Sequence, residues 1–253
     1  MPHSSYIRVV PDSACAVLLL HGILGTPRQF DPILDCFPEN WSVYNMVLDG
    51  HGGTVADFAR SGMRKWQAQT DAALDALRRR HEKIIVVAHS MGCLLTLASL
   101  LREKSGVYGT LLLAPALCIR VRPVGCINAL RVVLDCIPPE NVLAAATQKA
   151  CGVAPEKRLW RYLPALPRFA ELLAKARRVR SLLGFIEVPC TVLLSAKDEL
   201  VGPQTAICLR GREAFTVRVL KNSGHFYYPE QDLAQLRQTV REVVRQTENM
   251  PVK

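Results

Sequence analysis

Three side chains far apart in the sequence are of the types that perform acyl transfer: a hydroxyl, an imidazole and a carboxylate. Ser90 lies in IIVVAHSMGC, His225 in NSGHFYYPE and Asp198 in SAKDELV. A serine attacks a carbonyl carbon only under three conditions: a base takes its proton, a carboxylate orients that base, and N–H groups meet the oxygen that becomes negative. Taken alone, Ser90 could equally be a helix N-cap, because MGCLLTLASLL after it reads as a helix. Its small neighbours Ala88 and Gly92, two positions to either side, instead suit a sharp strand-to-helix bend that lifts the hydroxyl clear of the backbone. Upstream, LLLHGILG supplies a strand-to-loop turn at His21 and Gly22. The amide of Ile23, with Leu24 as a second choice, and the amide of Met91 are the candidate oxyanion donors.

These groups can meet only if each stands at the same edge of one sheet. Seven short runs, YIRVV, AVLLL, VYNMVL, KIIVVA, GTLLLA, CTVLLS and FTVRVL, alternate with helical patterns. Near-continuous apolar strands separated by helices predict a parallel sheet covered on both faces. Trp66, Thr70, Ala73, Leu74 and Leu77 recur at helical spacing, as do Leu233, Leu236, Val240 and Val243, with Pro229 and Glu230 suited to the first turn of that last helix. Asp198 follows CTVLLS and His225 follows FTVRVL, so both belong at carboxyl ends of strands, where open α/β sheets form their crevices. After Ala114 and Pro115 about seventy residues pass before the next strand, too many for a plain loop. Residues 119–188 are therefore expected to be a helical insertion, with helices over 139–152 and 167–184. Within the second, Phe169, Leu172, Leu173, Ala176, Val179, Leu182 and Leu183 make one apolar face.

With 253 residues, 49% of them hydrophobic, the chain can bury one large core. No apolar run reaches the ~20 residues that span a bilayer, and no basic leader precedes the first apolar stretch. Stable membrane insertion is not expected. Nine cysteines without metal-ligand spacing favour free thiols in a reducing cytoplasm, and no H-E-x-x-H or similar cluster predicts a metal. The net charge of +10 raises nucleic acid as a partner. Twelve basic against five acidic residues fall within 119–188, however, so most of the excess sits on one helical segment, as on a solvated face. Nucleic acid is not the expected partner; an anionic substrate or membrane surface is a second explanation.

The order Ser90, Asp198, His225 and the motifs HGILG, LDGHGGT, AHSMG, SAKDELV and SGH resemble those of the α/β-hydrolase superfamily. Within it, the chain is most similar to the monoacylglycerol lipase and carboxylesterase branch. The resemblance implies an α/β-hydrolase fold, a mostly parallel central sheet flanked by helices, formed by residues 1–118 and 189–253. It implies a helical cap, 119–188, inserted before the strand carrying the acid. It further implies a serine hydrolase with Ser90 as nucleophile, His225 as general base and acid, Asp198 as its orienting partner, and the amides of Ile23 and Met91 as oxyanion hole. The substrate would be a small-molecule ester with an apolar acyl chain, short to medium or monoacylglycerol-like, and no cofactor is needed. His21, Gly22, Leu24, His51 and His89 are expected to line or brace the site. Glu199, the rival acid, would point away from it if strand alternation persists. Cys93 would face the core. The alternatives are an acyl-CoA or acyl-carrier thioesterase using the same triad, and a small-molecule binding protein on the same frame. Oligomeric state stays open.

Overall fold

The computed structural model describes residues 3–251. The chain opens with β1 (Tyr6–Arg8) and β2 (Cys15–Leu20), then a 3-10 helix, Pro27–Cys36, capped by Thr26. β3 (Ser42–Met46), α1 (Val55–Arg60), α2 (Met63–Arg78), β4 (Lys83–His89), α3 (Met91–Arg102) and β5 (Val107–Leu113) follow. Between β5 and the next strand lie α4 (Pro123–Leu134), α5 (Val142–Ala150), a 3-10 turn at Leu159–Ala165 and α6 (Leu166–Leu182). The chain ends through β6 (Cys190–Ser195), α7 (Gln204–Leu209), β7 (Phe215–Leu220) and α8 (Glu230–Asn249).

All seven apolar runs are strands of one sheet, ordered β1-β3-β2-β4-β5-β6-β7. β1 is antiparallel to β3 and every other pairing is parallel. Alternation along the strands builds two cores. Leu18, Leu20, Ile84 and Val86 face Trp66, Leu74 and Val179 of α2 and α6. Val17, Leu19, Ile85 and Val87 face Phe30 and Ile33 of the first 3-10 helix and Leu236, Val240 and Val243 of α8. The chain leaves β2 toward β3 and leaves β4 toward β5, in opposite directions along the sheet. Such a switch point opens a crevice between diverging loops, here at the carboxyl ends of β2 and β4.

The segment 119–188 is helical, with boundaries that differ from the periodicity. The helix placed at 139–152 begins only at Val142, because Asn141 caps it through its side chain, accepting from the Ala144 N–H at 2.9 Å. α4 was not expected. Its sequence, PVGCINALRVVL, mixes a glycine and β-branched residues that disfavour helix, and packing against α5 overrides that preference. α6 runs over 166–182 and packs on α3 and α2, with Leu172, Ala176 and Val179 inward. Leu173 is 47% exposed and Phe169 37% exposed, the ring of Phe169 lying 6.4 Å from that of Phe58. At the other end of the sheet, Lys83 is buried at the head of β4. Its ammonium donates to the carbonyls of Thr247, Glu248 and Met250, where α8 ends, so a cation satisfies the negative end of the last helix.

Candidate active site

β4 delivers His89 and then bends sharply. Ser90 has φ 53° and ψ −113°, a left-handed conformation that costs a non-glycine residue about 1–3 kcal/mol and persists only where the surroundings enforce it. Here the Ser90 N–H donates to Leu113 O at 2.9 Å, and the Ser90 carbonyl accepts from Cys93 and Ala116 N–H at 3.2 and 3.3 Å. The bend also requires close packing. A methyl on Gly92 would fall 2.2 Å from Leu20 O, and one on Gly22 would fall 3.0 Å from Ser90 Cβ. The β2 turn and the start of α3 are therefore in contact through residues without side chains. Ala88, in the position of the motif's first glycine, is fully buried with its methyl accommodated, and Cys93 faces the core.

The histidines of the turn act as struts. His21 donates from Nδ1 to Gly22 O at 2.8 Å and accepts the Leu48 N–H on Nε2 at 3.0 Å. His51 donates from Nδ1 to Asp49 O and accepts the Leu24 N–H on Nε2 at 3.1 Å. Burial drives both below the ordinary imidazole range, His51 to about 4, so each is neutral and can accept. The bond to His51 occupies the Leu24 amide and removes it as an oxyanion donor. Met91, first residue of α3, has an amide with no intrahelical acceptor. Among the described residues no hydrogen bond takes the Ile23 N–H either.

His225 is 1% exposed and is gripped on three sides. Its Nδ1 donates to Asp198, 2.9 Å from Oδ2 and 3.1 Å from Oδ1, which leaves Nε2 as the acceptor nitrogen. His89 Nε2 donates to the His225 carbonyl at 3.0 Å, and the two rings touch edge-on with centroids 4.7 Å apart. The His225 N–H donates to Glu199 Oε2 at 2.9 Å. Glu199 thus points toward the site, contrary to expectation, because residues 196–199 form a turn and strand alternation has already ended. Burial pulls the Asp198 carboxyl upward, yet the His225 charge and hydrogen bond, with the Leu200 and Val201 amides on Oδ1 at 2.8 and 2.7 Å, hold it below the usual range. Asp198 is a carboxylate that orients the imidazole of His225. Burial lowers His89 to about 3, which keeps it neutral.

Ser90 and His225 are brought together through backbone: the residue before the serine holds the histidine's carbonyl. Among the described residues no hydrogen bond runs from Ser90 Oγ to His225, a contact that in unliganded sites is often long and tightens when substrate binds. Above the turn lies a cavity of about 280 Å³. Ile23 and Leu24 form its floor, α4 contributes Val132 and Val133, and Tyr162 and Phe169 close it. Glu199 is the one charged residue in its wall. Among the described residues no three His, Cys, Asp or Glu side chains gather as a metal site needs, and no helix is long and apolar enough to cross a membrane.

A strained serine at the switch point of a mostly parallel sheet, beside a buried imidazole–carboxylate pair, defines the class built on the α/β-hydrolase frame. Residues 17–239 match the alpha/beta hydrolase family, and the chain belongs to it. It is 34% identical over 82 residues to the thermostable monoacylglycerol lipase of Bacillus sp. (strain H-257). That match spans 32% of this chain and 33% of that lipase, about a third of the relative's length. Among solved structures it is similar to one from work on LipS and LipT, two metagenome-derived lipolytic enzymes. There the TM-score is 0.71 at 20% identity, covering 95% of this chain and 98% of that one. The monoacylglycerol lipase of Paleococcus ferrophilus gives 0.68 at 18%, covering 96% and 98%. Est1E of Butyrivibrio proteoclasticus, solved with ferulic acid, gives 0.67 at 16%, covering 98% and 96%. At these identities the structural likeness speaks for the fold.

Proposed function

We propose that this protein hydrolyses carboxylic esters with an apolar acyl chain through an acyl-Ser90 intermediate. The observation that carries the reading is the 2.9 Å contact between His225 Nδ1 and Asp198, which fixes the tautomer in which Nε2 accepts a proton, next to a serine held on a strained bend. In the first step Ser90 Oγ bonds to the acyl carbon and its proton passes to His225 Nε2. The amides of Ile23 and Met91 receive the negative carbonyl oxygen. The bond to the alcohol oxygen then breaks, and His225 returns the proton to it. Water, activated by the same imidazole, repeats the sequence to release the acid and free the serine. The segment 119–188 serves as a cap whose apolar cavity takes the acyl chain. The lipases and esterases with the same frame support ester cleavage.

The thioesterase alternative draws on the basic charge of 119–188, but several of those cations hold the fold. Lys175 donates to Gln67, Arg180 to Leu117 O, Arg168 to Ser61 O, and Arg161 pairs with Glu156. A fluorophosphonate probe followed by mass spectrometry tests the central step. Wild-type protein is expected to be labelled on Ser90 and Ser90→Ala to remain unlabelled. Equal labelling of both removes Ser90 from the mechanism. Turnover of nitrophenyl esters of increasing chain length then measures the acyl cavity.

A further inference from the structure

A second cavity, of about 220 Å³, lies on the other side of Phe226 and Ala150, the two residues it shares with the first. Its walls differ in character. His89 and the run Phe226, Tyr227 and Tyr228 border it on the side of the imidazole, while Arg28 and Lys149, both exposed, stand at its rim. Gln29 lines it with both amide atoms buried and without a protein partner, a donor and an acceptor held ready side by side. Arg28 approaches Asp31 at 3.9 Å, and the Lys149 charge acts on the same carboxylate. Two cations against one carboxylate leave the rim positive.

We propose that this second cavity receives the alcohol side of the substrate and that the alcohol carries an anionic group. This rests on the reading of Ser90 as nucleophile and His225 as base. The departing oxygen takes its proton from His225, whose ring lies 4.7 Å from that of His89 and 4.6 Å from that of Phe226; Phe226 borders both cavities and His89 only this one, so the alcohol leaves toward this side. The aromatic and aliphatic middle accepts a ring or short chain, Gln29 satisfies a polar group upon it, and Arg28 with Lys149 meets the negative charge at the mouth. The substrate class is an ester joining an apolar acid to a hydroxylated carboxylate or phosphate. Acylation breaks the acyl carbon–oxygen bond, the alcohol leaves bearing the proton from Ser90, and its anionic group is untouched.

Binding of 4-hydroxybenzoate and of phenol to the full chain, followed by ligand-observed NMR, reads the cavity without turnover. The carboxylate is expected to bind more tightly, by up to about fivefold, the upper end of what an exposed ion pair supplies. The preference should vanish in Arg28→Gln/Lys149→Gln, whose sites are exposed and tolerant, and shrink at high salt. Equal binding of the two ligands, or a preference that survives in the double variant, overturns the proposal. The butyrate esters of the same two alcohols supply the catalytic arm. The ratio of their kcat/KM values is compared between wild type and variant, so that intrinsic leaving-group reactivity cancels. Turnover of both esters with that ratio unchanged refutes the alcohol-site assignment and leaves the acyl-Ser90 reading standing. Arg28- and Lys149-dependent binding without any turnover refutes the acyl-Ser90 reading, and with it the assignment of the cavity to the alcohol.

Discussion

In the proposed reaction Asp198 orients the base by accepting one hydrogen bond, and it is a carboxylate because the His225 charge and hydrogen bond and two backbone amides outweigh its burial. Asp198→Asn keeps the shape but offers an amide that can donate to Nδ1, turning the imidazole to the tautomer that cannot take the serine proton. We expect kcat on a nitrophenyl ester to fall on the order of 10⁴-fold, with circular dichroism unchanged. Retention of more than a tenth of the activity would show that another group orients the base. At this scale the sequence was informative where a motif carries its own context: the serine bend, the acid after β6 and the histidine after β7 were each legible. The direction of Glu199 was not, and His89, expected to line or brace the site, came without its partner. Their contacts with the two ends of residue 225 depend on how the turn at 196–199 and the loop before α8 are wound, and no periodicity records that. The signal nearest to hand was their position beside two candidate catalytic residues.

Between elements, the closest approach in the site is that of α3 to β2. Gly92 stands against the Leu20 carbonyl, so Gly92→Ala forces the helix off the strand. We expect a loss of about 1–3 kcal/mol, read as a melting temperature lower by about 2–4 °C for each, and a larger relative loss of activity because the Met91 amide moves with the helix. An unaltered melt and activity would mean that the strand yields without consequence. The strands were legible as near-continuous apolar runs, and the long helices because their apolar residues recur at three and four. α4 was hidden because Val124, Ile127, Leu130 and Leu134 turn outward, between 37% and 50% exposed. A helix with apolar residues on its open face carries no amphipathic signature.

Across the whole molecule, the neutral histidines couple stability to pH. Burial lowers His51 from an unfolded value near 6.5 to about 4, so below pH 6.5 the unfolded chain binds the proton that the folded one refuses. Stability from this residue is level above that pH and falls toward pH 4, by about 3 kcal/mol at most. His21 and His89, lowered by burial as well, add to the same slope. Urea unfolding between pH 4 and 7.5 should show it, and His51→Gln, which retains an acceptor for the Leu24 amide, should flatten it. A slope identical in the variant would assign the acid sensitivity elsewhere.

Lys83 sets a condition on the order in which the protein can be made. Its ammonium is enclosed at the head of the strand that leads into Ser90, and the oxygens that receive it belong to the final turn and C-cap of α8. Enclosing that charge without those oxygens is costly. During synthesis β4 therefore cannot settle into its completed surroundings when its own residues leave the ribosome; the strand before Ser90 waits for the last helix to emerge.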